Sequence, residues 1–132
     1  MSGRYLLDTN IIIDIFKNNP DICKSLTDIK EVFVPSIVIG ELYFGAYKST
    51  KIQENVKRID DFVLENKVLS CDVKTALTYG NLKKYLKDKG HPIPENDIWI
   101  AAIAQQYGLT LISNDAHFDN IKNLKVIHGD IA

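Results

Sequence analysis

The segment Arg4-Tyr5-Leu6-Leu7-Asp8-Thr9-Asn10 joins a short apolar run to an apolar-rich helical pattern near the start of the chain. After its first residue the run Arg4–Leu7 is continuously apolar, which is typical of a strand covered on both faces of a sheet. From about Asn10 to Lys17 the sequence predicts a helix that carries several isoleucines. A strand followed at once by a helix predicts a β-α unit, with the carboxylate of Asp8 at the junction.

The same alternation of short apolar runs and helical patterns continues along the chain. The predicted strands are Arg4–Leu7, Val32–Val34, Lys67–Ser70, Thr110–Ser113 and Lys125–Ile127. Further helices are predicted to begin at Asn19-Pro20, at Pro35-Ser36, near Ile52, after Asp72 and near Glu95, with stop signals at Gly90 and Gly108. Repeated β-α alternation predicts an α/β fold with a parallel sheet and helices on both faces. We expect residues 1–132 to form one domain.

Two stretches stand out by their apolar content. The helix predicted over Glu95–Tyr107 is apolar on nearly every face, so we expect it to be buried in the domain or at a subunit interface. The stretch around Phe44 and Tyr47 carries more apolar surface than one small core needs. Its apolar members are Tyr43, Phe44, Tyr47, Ile52 and Val56. This surplus predicts either core packing or a partner site, and the sequence does not decide between them.

The composition is that of a folded globular domain, because 45% of the 132 residues are hydrophobic and 25% are charged. The net charge of −1 argues against a strongly basic nucleic-acid binder, although a small basic excess is left if a metal neutralises four acids. Cys23 and Cys71 belong to no metal-binding pattern, so we expect two reduced, partly buried thiols. The chain shows no signal-peptide pattern and no long apolar run, which predicts a cytoplasmic protein without a membrane span.

Four carboxylates lie next to apolar segments instead of in charged surface runs: Asp8, Glu41, Asp97 and Asp115. Asp8 and Asp115 directly follow predicted strands, Glu41 lies in the second turn of a predicted helix and Asp97 lies in the first turn of another. These positions meet at one edge of a parallel sheet, so we expect the four side chains to converge. Converging carboxylates repel one another unless a cation neutralises them. Their oxygen ligands favour Mg²⁺ or Mn²⁺ over zinc, which predicts metal-assisted hydrolysis of a phosphodiester.

Each acid also has a structural explanation when it is taken alone. Asp8 is a candidate helix cap, although Asn10 is the better one and would otherwise orient Asp8. Acids such as Asp97 are favoured in a first helical turn by the helix dipole alone. Ser113 lies at a strand end beside the acids and is a second supporting candidate, whereas His117 is interpreted as a surface histidine. The joint placement of the four acids favours a site.

The acids lie in four short motifs, Leu7–Asn10, Val38–Leu42, Pro92–Ala102 and Leu111–Phe118. In this order and at this spacing they resemble the four motifs of PIN-domain ribonucleases, in the VapC toxin branch of type II toxin–antitoxin systems. The resemblance covers nearly the full length of the chain. It implies a three-layer α/β/α PIN-like fold with a five-stranded parallel sheet.

The resemblance also implies an endoribonuclease that depends on Mg²⁺ or Mn²⁺ and acts on RNA. By motif match the metal-binding and catalytic residues are Asp8, Glu41, Asp97 and Asp115, with Asn10 and Ser113 in support. Family members typically form homodimers and are held inactive by a cognate antitoxin protein. The antitoxin's C-terminal segment fills a groove beside the active site and often reaches the site with an arginine.

Two other functions are left open by the residues. A Mg²⁺-dependent phosphatase of the haloacid dehalogenase type would use Asp8 as its nucleophile. That class expects a second acid two residues further on, where Asn10 stands in this chain. A non-catalytic RNA-binding PIN module would have lost acids from the edge of the sheet, and none of the four is missing.

Overall fold

The computed structural model describes residues 3–18 and 31–128 of the chain. Its strands are β1 (Arg4–Leu7), β2 (Glu31–Pro35), β3 (Lys67–Leu69), β4 (Thr110–Ile112) and β5 (Val126–Ile127). They form one five-stranded parallel sheet in the order β3-β2-β1-β4-β5. All five strands predicted from the sequence are present, and their bounds differ from the prediction by no more than one residue.

Within the described ranges, five α-helices connect or follow the strands. They are α1 (Thr9–Phe16), α2 (Ser36–Tyr47), α3 (Ile52–Glu65), α4 (Val73–Asp88) and α5 (Glu95–Tyr107), and a 3₁₀ helix (Ala116–Asn120) follows β4. The helices and the sheet form a three-layer α/β/α fold, as predicted. The helix predicted to begin at Asn19-Pro20 lies outside the described residues. No helix in the described part of the chain is long and apolar enough to cross a membrane.

The helix ends follow the signals in the sequence. Asp72 caps α4, where its carboxylate accepts a hydrogen bond from the backbone N–H of Thr75, and the Thr75 hydroxyl accepts one from the backbone N–H of Asp72. Helix α5 ends at Gly108, whose φ of +64° is a left-handed conformation that a Cβ atom would disfavour. The end at Gly108 fixes where α5 stops, immediately before the chain enters β4.

The core is centred on β1 and α5. Strand β1 pairs with β2 on one side and with β4 on the other, and Leu6 and Leu7 are almost completely buried. All residues from Ile100 to Ala104 on α5 have no exposed surface, so the prediction of a buried helix is confirmed. After β1 the chain adds strands on one side of the sheet, and after β3 it returns to the other side. The point between the ends of β1 and β4 is therefore the switch point where ligands bind in sheets of this kind.

One prediction about exposure was wrong: Cys71 is exposed instead of partly buried, and Cys23 lies outside the described residues. Ile52, for which the sequence left core packing and a partner site open, is the first residue of α3 and is 45% exposed. Phe44 and Tyr47 are more than half exposed, so core packing does not account for their apolar surface.

Candidate functional site

Asp8 follows β1 directly and is 5% exposed. Its Oδ1 accepts a hydrogen bond from the backbone N–H of Thr9 at 2.8 Å, which makes Asp8 the N-cap of α1. Its Oδ2 accepts hydrogen bonds from the Ser113 hydroxyl at 2.6 Å and from the Asn10 amide at 3.3 Å. The prediction that Asn10 is the better cap was wrong, because the helix begins immediately after Asp8 and Asn10 lies within it. Asn10 instead helps to orient Asp8.

Asp97 and Asp115 come together from α5 and from the segment after β4. Asp97 is in the first turn of α5, and Asp115 is the N-cap of the 3₁₀ helix. The ring of His117 lies between them, with its Nδ1 2.9 Å from Asp97 Oδ2 and 3.0 Å from Asp115 Oδ1. One ligand atom from each of the three side chains lies within 4.8 Å of the other two. The hydrogen bond with Asp97 and the nearby negative charges raise the pKa of His117.

The interpretation of His117 as a surface histidine is correct for its exposure, but it missed the contacts of the ring with Asp97 and Asp115. Its side chain is 48% exposed, but its ring faces the acids because the chain turns tightly after Asp115. The backbone N–H of His117 donates to Asp115 Oδ1 at 2.9 Å, and the next residue, Phe118, is fully buried. The sequence did contain a signal for this position of His117. The histidine comes two residues after the strand-end acid Asp115 and is followed by an aromatic residue, Phe118.

Glu41 is the fourth acid, in the second turn of α2. Its Oε1 is buried and has no hydrogen-bond partner among the described residues, and the same holds for the hydroxyl of Thr9. Burial raises the pKa of Glu41, and the negative charges of Asp8 and Asp97 raise it further. A buried carboxylate oxygen without a partner costs free energy, so a cation or a donor from another molecule would stabilise it.

The other acids also act on one another electrostatically. Burial raises the pKa of Asp8, and the charge of Asp115 adds to this effect, while the hydrogen bonds to Asp8 oppose it. Burial raises the pKa of Asp97 as well, with further contributions from the charges of Asp8 and Asp115. Each of the four predicted acids therefore interacts with at least one of the others. The tertiary structure brings together side chains that are up to 107 positions apart in the sequence.

This arrangement fits a divalent cation. Carboxylate oxygens are the ligands that hard cations prefer. Ligand atoms of Asp97, Asp115 and His117 lie close enough together for one ion, whereas Asp8 and Glu41 are outside that group and are linked to it by electrostatic interactions. The buried Oε1 of Glu41 is the clearest case, because it makes no hydrogen bond of ordinary geometry with the described residues, and the nearby Thr9 hydroxyl offsets only part of the rise in the pKa of Glu41. The residues present therefore suit a metal, and they do not by themselves distinguish one hard cation from another.

A cavity of about 320 Å³ lies between α1, α2 and α3 and extends to the acidic site. Its walls are largely apolar, and Thr9 and Glu41 belong to both the cavity and the site. The other lining residues are Ile13, Phe16, Lys17, Leu42, Gly45, Ala46, Asn55, Arg58 and Ile59. The cavity therefore offers an apolar path that leads to the unpartnered oxygen of Glu41.

Ser113 links two of the acids through one hydroxyl group. It donates to Asp8 Oδ2 and accepts from the backbone N–H of Asp115 at 3.0 Å, and it is fully buried. We expect Ser113→Ala to lower the free energy of unfolding by about 1–3 kcal/mol, because it removes the shorter of two side-chain hydrogen bonds to the buried Oδ2 of Asp8 and the hydrogen bond from the backbone N–H of Asp115. Urea unfolding monitored by circular dichroism measures the change. Ser70→Ala, at an exposed strand end, is the matched control and should change stability little. An unchanged free energy of unfolding in Ser113→Ala would contradict this description.

A profile of the PIN-domain family matches residues 5–124, which is most of the chain. The chain therefore belongs to the PIN-domain family. Ribonuclease VapC2 of Haemophilus influenzae is 40% identical to it over 114 residues, which cover 85% of this chain and 86% of that protein. Such relatives place the chain in the VapC branch of the family.

Two further comparisons extend this result. The tRNA(fMet)-specific endonuclease VapC of Salmonella typhimurium is 29% identical over 126 residues, with 93% of this chain and 96% of that protein covered. The structure of VapBC2 from Rickettsia felis, bound to a DNA fragment from its promoter, superposes with a TM-score of 0.85 at 31% identity. That superposition covers 97% of this chain and 98% of the matched chain. The fold predicted from the sequence is thus confirmed by a solved relative.

Proposed function

We propose that this protein is the endoribonuclease toxin of a type II toxin–antitoxin pair and that it hydrolyses RNA phosphodiester bonds at the four acids. The observation that carries the proposal is the convergence of Asp8, Glu41, Asp97 and Asp115 at the switch point of a PIN fold. Relatives with the same fold are ribonucleases by name, one of them specific for a tRNA. An intact set of acids argues against a non-catalytic RNA-binding module.

The four acids would hold Mg²⁺ or Mn²⁺, whose preference for oxygen ligands matches this set. When bound, the cation would offset negative charge on the phosphate and make water a better nucleophile. The chain's own contribution is to hold the acids in place before substrate arrives. Asp8 is fixed by hydrogen bonds from Ser113, Asn10 and Thr9, so its carboxylate need not reorganise.

The phosphatase alternative is less well supported. A nucleophilic Asp8 needs an accessible carboxylate oxygen, but the residue is 5% exposed and both of its oxygens accept hydrogen bonds. The position two residues on is Asn10, which cannot serve as the acid that this mechanism requires. The lack of a second acid at position 10 is the stronger argument against the phosphatase.

Removal of divalent cations tests the proposed activity. Purified protein is expected to cut tRNA in the presence of Mg²⁺ or Mn²⁺ and to lose this activity completely in excess EDTA, because four uncompensated carboxylates repel a phosphate. Gel electrophoresis of end-labelled tRNA measures cleavage, and added cation should restore it. Cleavage that continues in EDTA would refute the metal requirement. Turnover of a small phosphomonoester with intact tRNA would favour the phosphatase instead.

The cavity between α1, α2 and α3 supports an antitoxin as the partner. A peptide segment with apolar side chains would contact Phe16, Leu42 and Ile59, and a basic residue at its end would reach the unpartnered Oε1 of Glu41. The solved relative from Rickettsia felis is a VapBC2 complex.

We also propose that the chain forms a homodimer. The exposed pair Val73 and Leu77, one turn apart on α4, offers apolar surface for it.

A further inference from the structure

We propose that His117 is a nitrogen ligand of the divalent cation and that this ligand makes the site prefer Mn²⁺ to Mg²⁺. The inference rests on the proposed metal site, but it adds a residue of a different donor type and a consequence for metal choice. The starting observation is the position of His117 Nδ1, which faces both Asp97 and Asp115 instead of solvent.

The spacing of the three donor atoms suits a shared cation. In an octahedral complex with metal–ligand distances of about 2.1 Å, adjacent ligand atoms are about 3.0 Å apart. Nδ1 of His117 lies 2.9 Å from Asp97 Oδ2 and 3.0 Å from Asp115 Oδ1. The two separations from the ring nitrogen therefore match adjacent ligand positions around one ion, and the ligand atoms of Asp97 and Asp115 lie within 4.8 Å of each other.

Hydrogen bonding alone accounts for this arrangement less completely. Nδ1 carries at most one hydrogen atom, so it can donate fully to only one of the two carboxylates at a time. Asp115 Oδ1 also already accepts the backbone N–H of His117. A cation between the three groups would interact with both carboxylates at once and would accept the lone pair of an unprotonated Nδ1.

The ring is also held in a position suitable for ligation. The hydrogen bond from the His117 backbone to Asp115 sets the turn, and the fully buried Phe118 anchors the following residue in the core. A ligand that is oriented before the metal binds loses less conformational entropy on binding. The fold thus presents the imidazole nitrogen to the acids whether or not a metal is present.

Replacing an oxygen ligand by an imidazole nitrogen changes which metal is preferred. Mg²⁺ favours oxygen ligands strongly, whereas transition metals accept imidazole readily, and Mn²⁺ is the member of that series that also suits carboxylates. A site of four carboxylates would discriminate little between Mg²⁺ and Mn²⁺. Adding His117 should raise the affinity for Mn²⁺ without an equal gain for Mg²⁺.

Pulsed electron paramagnetic resonance of Mn²⁺ bound to the full-length protein tests the inference directly. We expect the wild type to show coupling of the manganese to one nitrogen nucleus, and ¹⁵N-labelled histidine should change that coupling. His117→Asn supplies an amide oxygen near the position of Nδ1, so the coupling should disappear while the fold is kept. His91→Asn, in an exposed loop, is the matched control and should leave the coupling intact.

Calorimetric titration with each metal alone measures the second consequence. We expect His117→Asn to weaken Mn²⁺ binding by about tenfold or more, as for other residues that hold or orient a metal ligand, and to change Mg²⁺ binding much less. Bound Mn²⁺ without nitrogen coupling in the wild type would overturn the inference, whatever the variant does. If the coupling is absent, RNA cleavage in Mg²⁺ would still support the proposed function. If the coupling is present but RNA is not cleaved, only the proposed function would be contradicted.

Discussion

Replacing Asp97 by asparagine is expected to reduce the rate of RNA cleavage by about 100- to 1,000-fold, the range found when one preorganised electrostatic group is removed from an active site. Asparagine keeps the size of the side chain and an oxygen that can face His117, but it lacks the negative charge. The side chain of Asp97 is only 14% exposed, so water does not replace the lost interaction with a cation. Single-turnover cleavage of labelled tRNA at saturating Mg²⁺ measures the change in rate.

The same substitution is expected to make the metal-free protein more stable. One effect opposes this gain in stability, because the helix dipole favours an acid at this position by about 0.3–1 kcal/mol. Burial and the charges of Asp8 and Asp115 outweigh the groups that favour ionisation, since the pKa of Asp97 is raised overall. A carboxyl with a raised pKa favours folding below its ordinary value of 3.8, and that contribution is lost as the pH rises through the folded-state pKa.

The free energy of unfolding of the metal-free wild type should therefore fall as the pH rises above 3.8, the ordinary pKa of an aspartate side chain. The free energy of unfolding of Asp97→Asn should fall less. Thermal unfolding in EDTA, measured at a series of pH values, gives both curves. Asp61→Asn is the matched control, because this exposed acid on α3 is paired with Lys57, and it should change neither cleavage nor stability substantially. Unchanged cleavage by Asp97→Asn would remove the residue from the site. A lower stability of the metal-free variant would contradict the electrostatic description.

Replacing Gly45 by leucine is expected to weaken inhibition by the cognate antitoxin by about 100-fold, equivalent to roughly 2.7 kcal/mol of binding free energy. Gly45 lines the cavity between α1, α2 and α3, and a Cβ atom built there meets no atom within 4 Å. The fold should therefore accept the leucine, which would occupy the space proposed for the antitoxin segment. Leucine also has a higher helix propensity than glycine by about 1 kcal/mol, so α2 should not be destabilised.

Titration of the antitoxin into an RNA cleavage reaction measures this effect as a shift of the inhibition curve. Gly80→Leu is the matched control, since Gly80 is likewise helical and a Cβ atom added to it would meet no atom within 4 Å, but it lies on α4 outside the cavity. We expect the control to be inhibited like the wild type and both variants to retain cleavage. Equal inhibition of Gly45→Leu and the wild type would show that the antitoxin binds elsewhere.

Within the described residues, local sequence patterns were sufficient to predict the five strands and the five α-helices, but not the 3₁₀ helix after β4. The runs at Arg4–Leu7 and Thr110–Ile112 are recognisable as buried strands because both faces of a central parallel strand are covered and must be apolar. The cap at Asp72 and the left-handed residue at Gly108 were predictable because each acts within a few residues of the backbone that it terminates. The exposure of Ile52, the first residue of α3, was less predictable, since it depends on where the preceding helix, α2, ends.

The candidate site divides in the same way. That Asp8 and Asp115 follow strands, and that Glu41 and Asp97 lie near the starts of helices, is a property of the sequence, and the rule for parallel sheets then predicts where they meet. Which of their oxygens are satisfied is not a local property. The cap at Asp8 is local, because it is made by the next residue, Thr9, but the hydrogen bond from Ser113 to Asp8 and the burial of Glu41 Oε1 depend on distant segments.

The sequence by itself determined the α/β architecture, the four acids and the family resemblance, because these depend on residue type, order and spacing. Only the tertiary structure decided that His117 belongs to the acidic cluster, because its direction is set by a tight turn, a backbone hydrogen bond to Asp115 and the burial of Phe118. Electrostatic interactions depend on distances in space. His117 is 20 positions from Asp97 in the chain, and the fold brings its Nδ1 to 2.9 Å from that carboxylate.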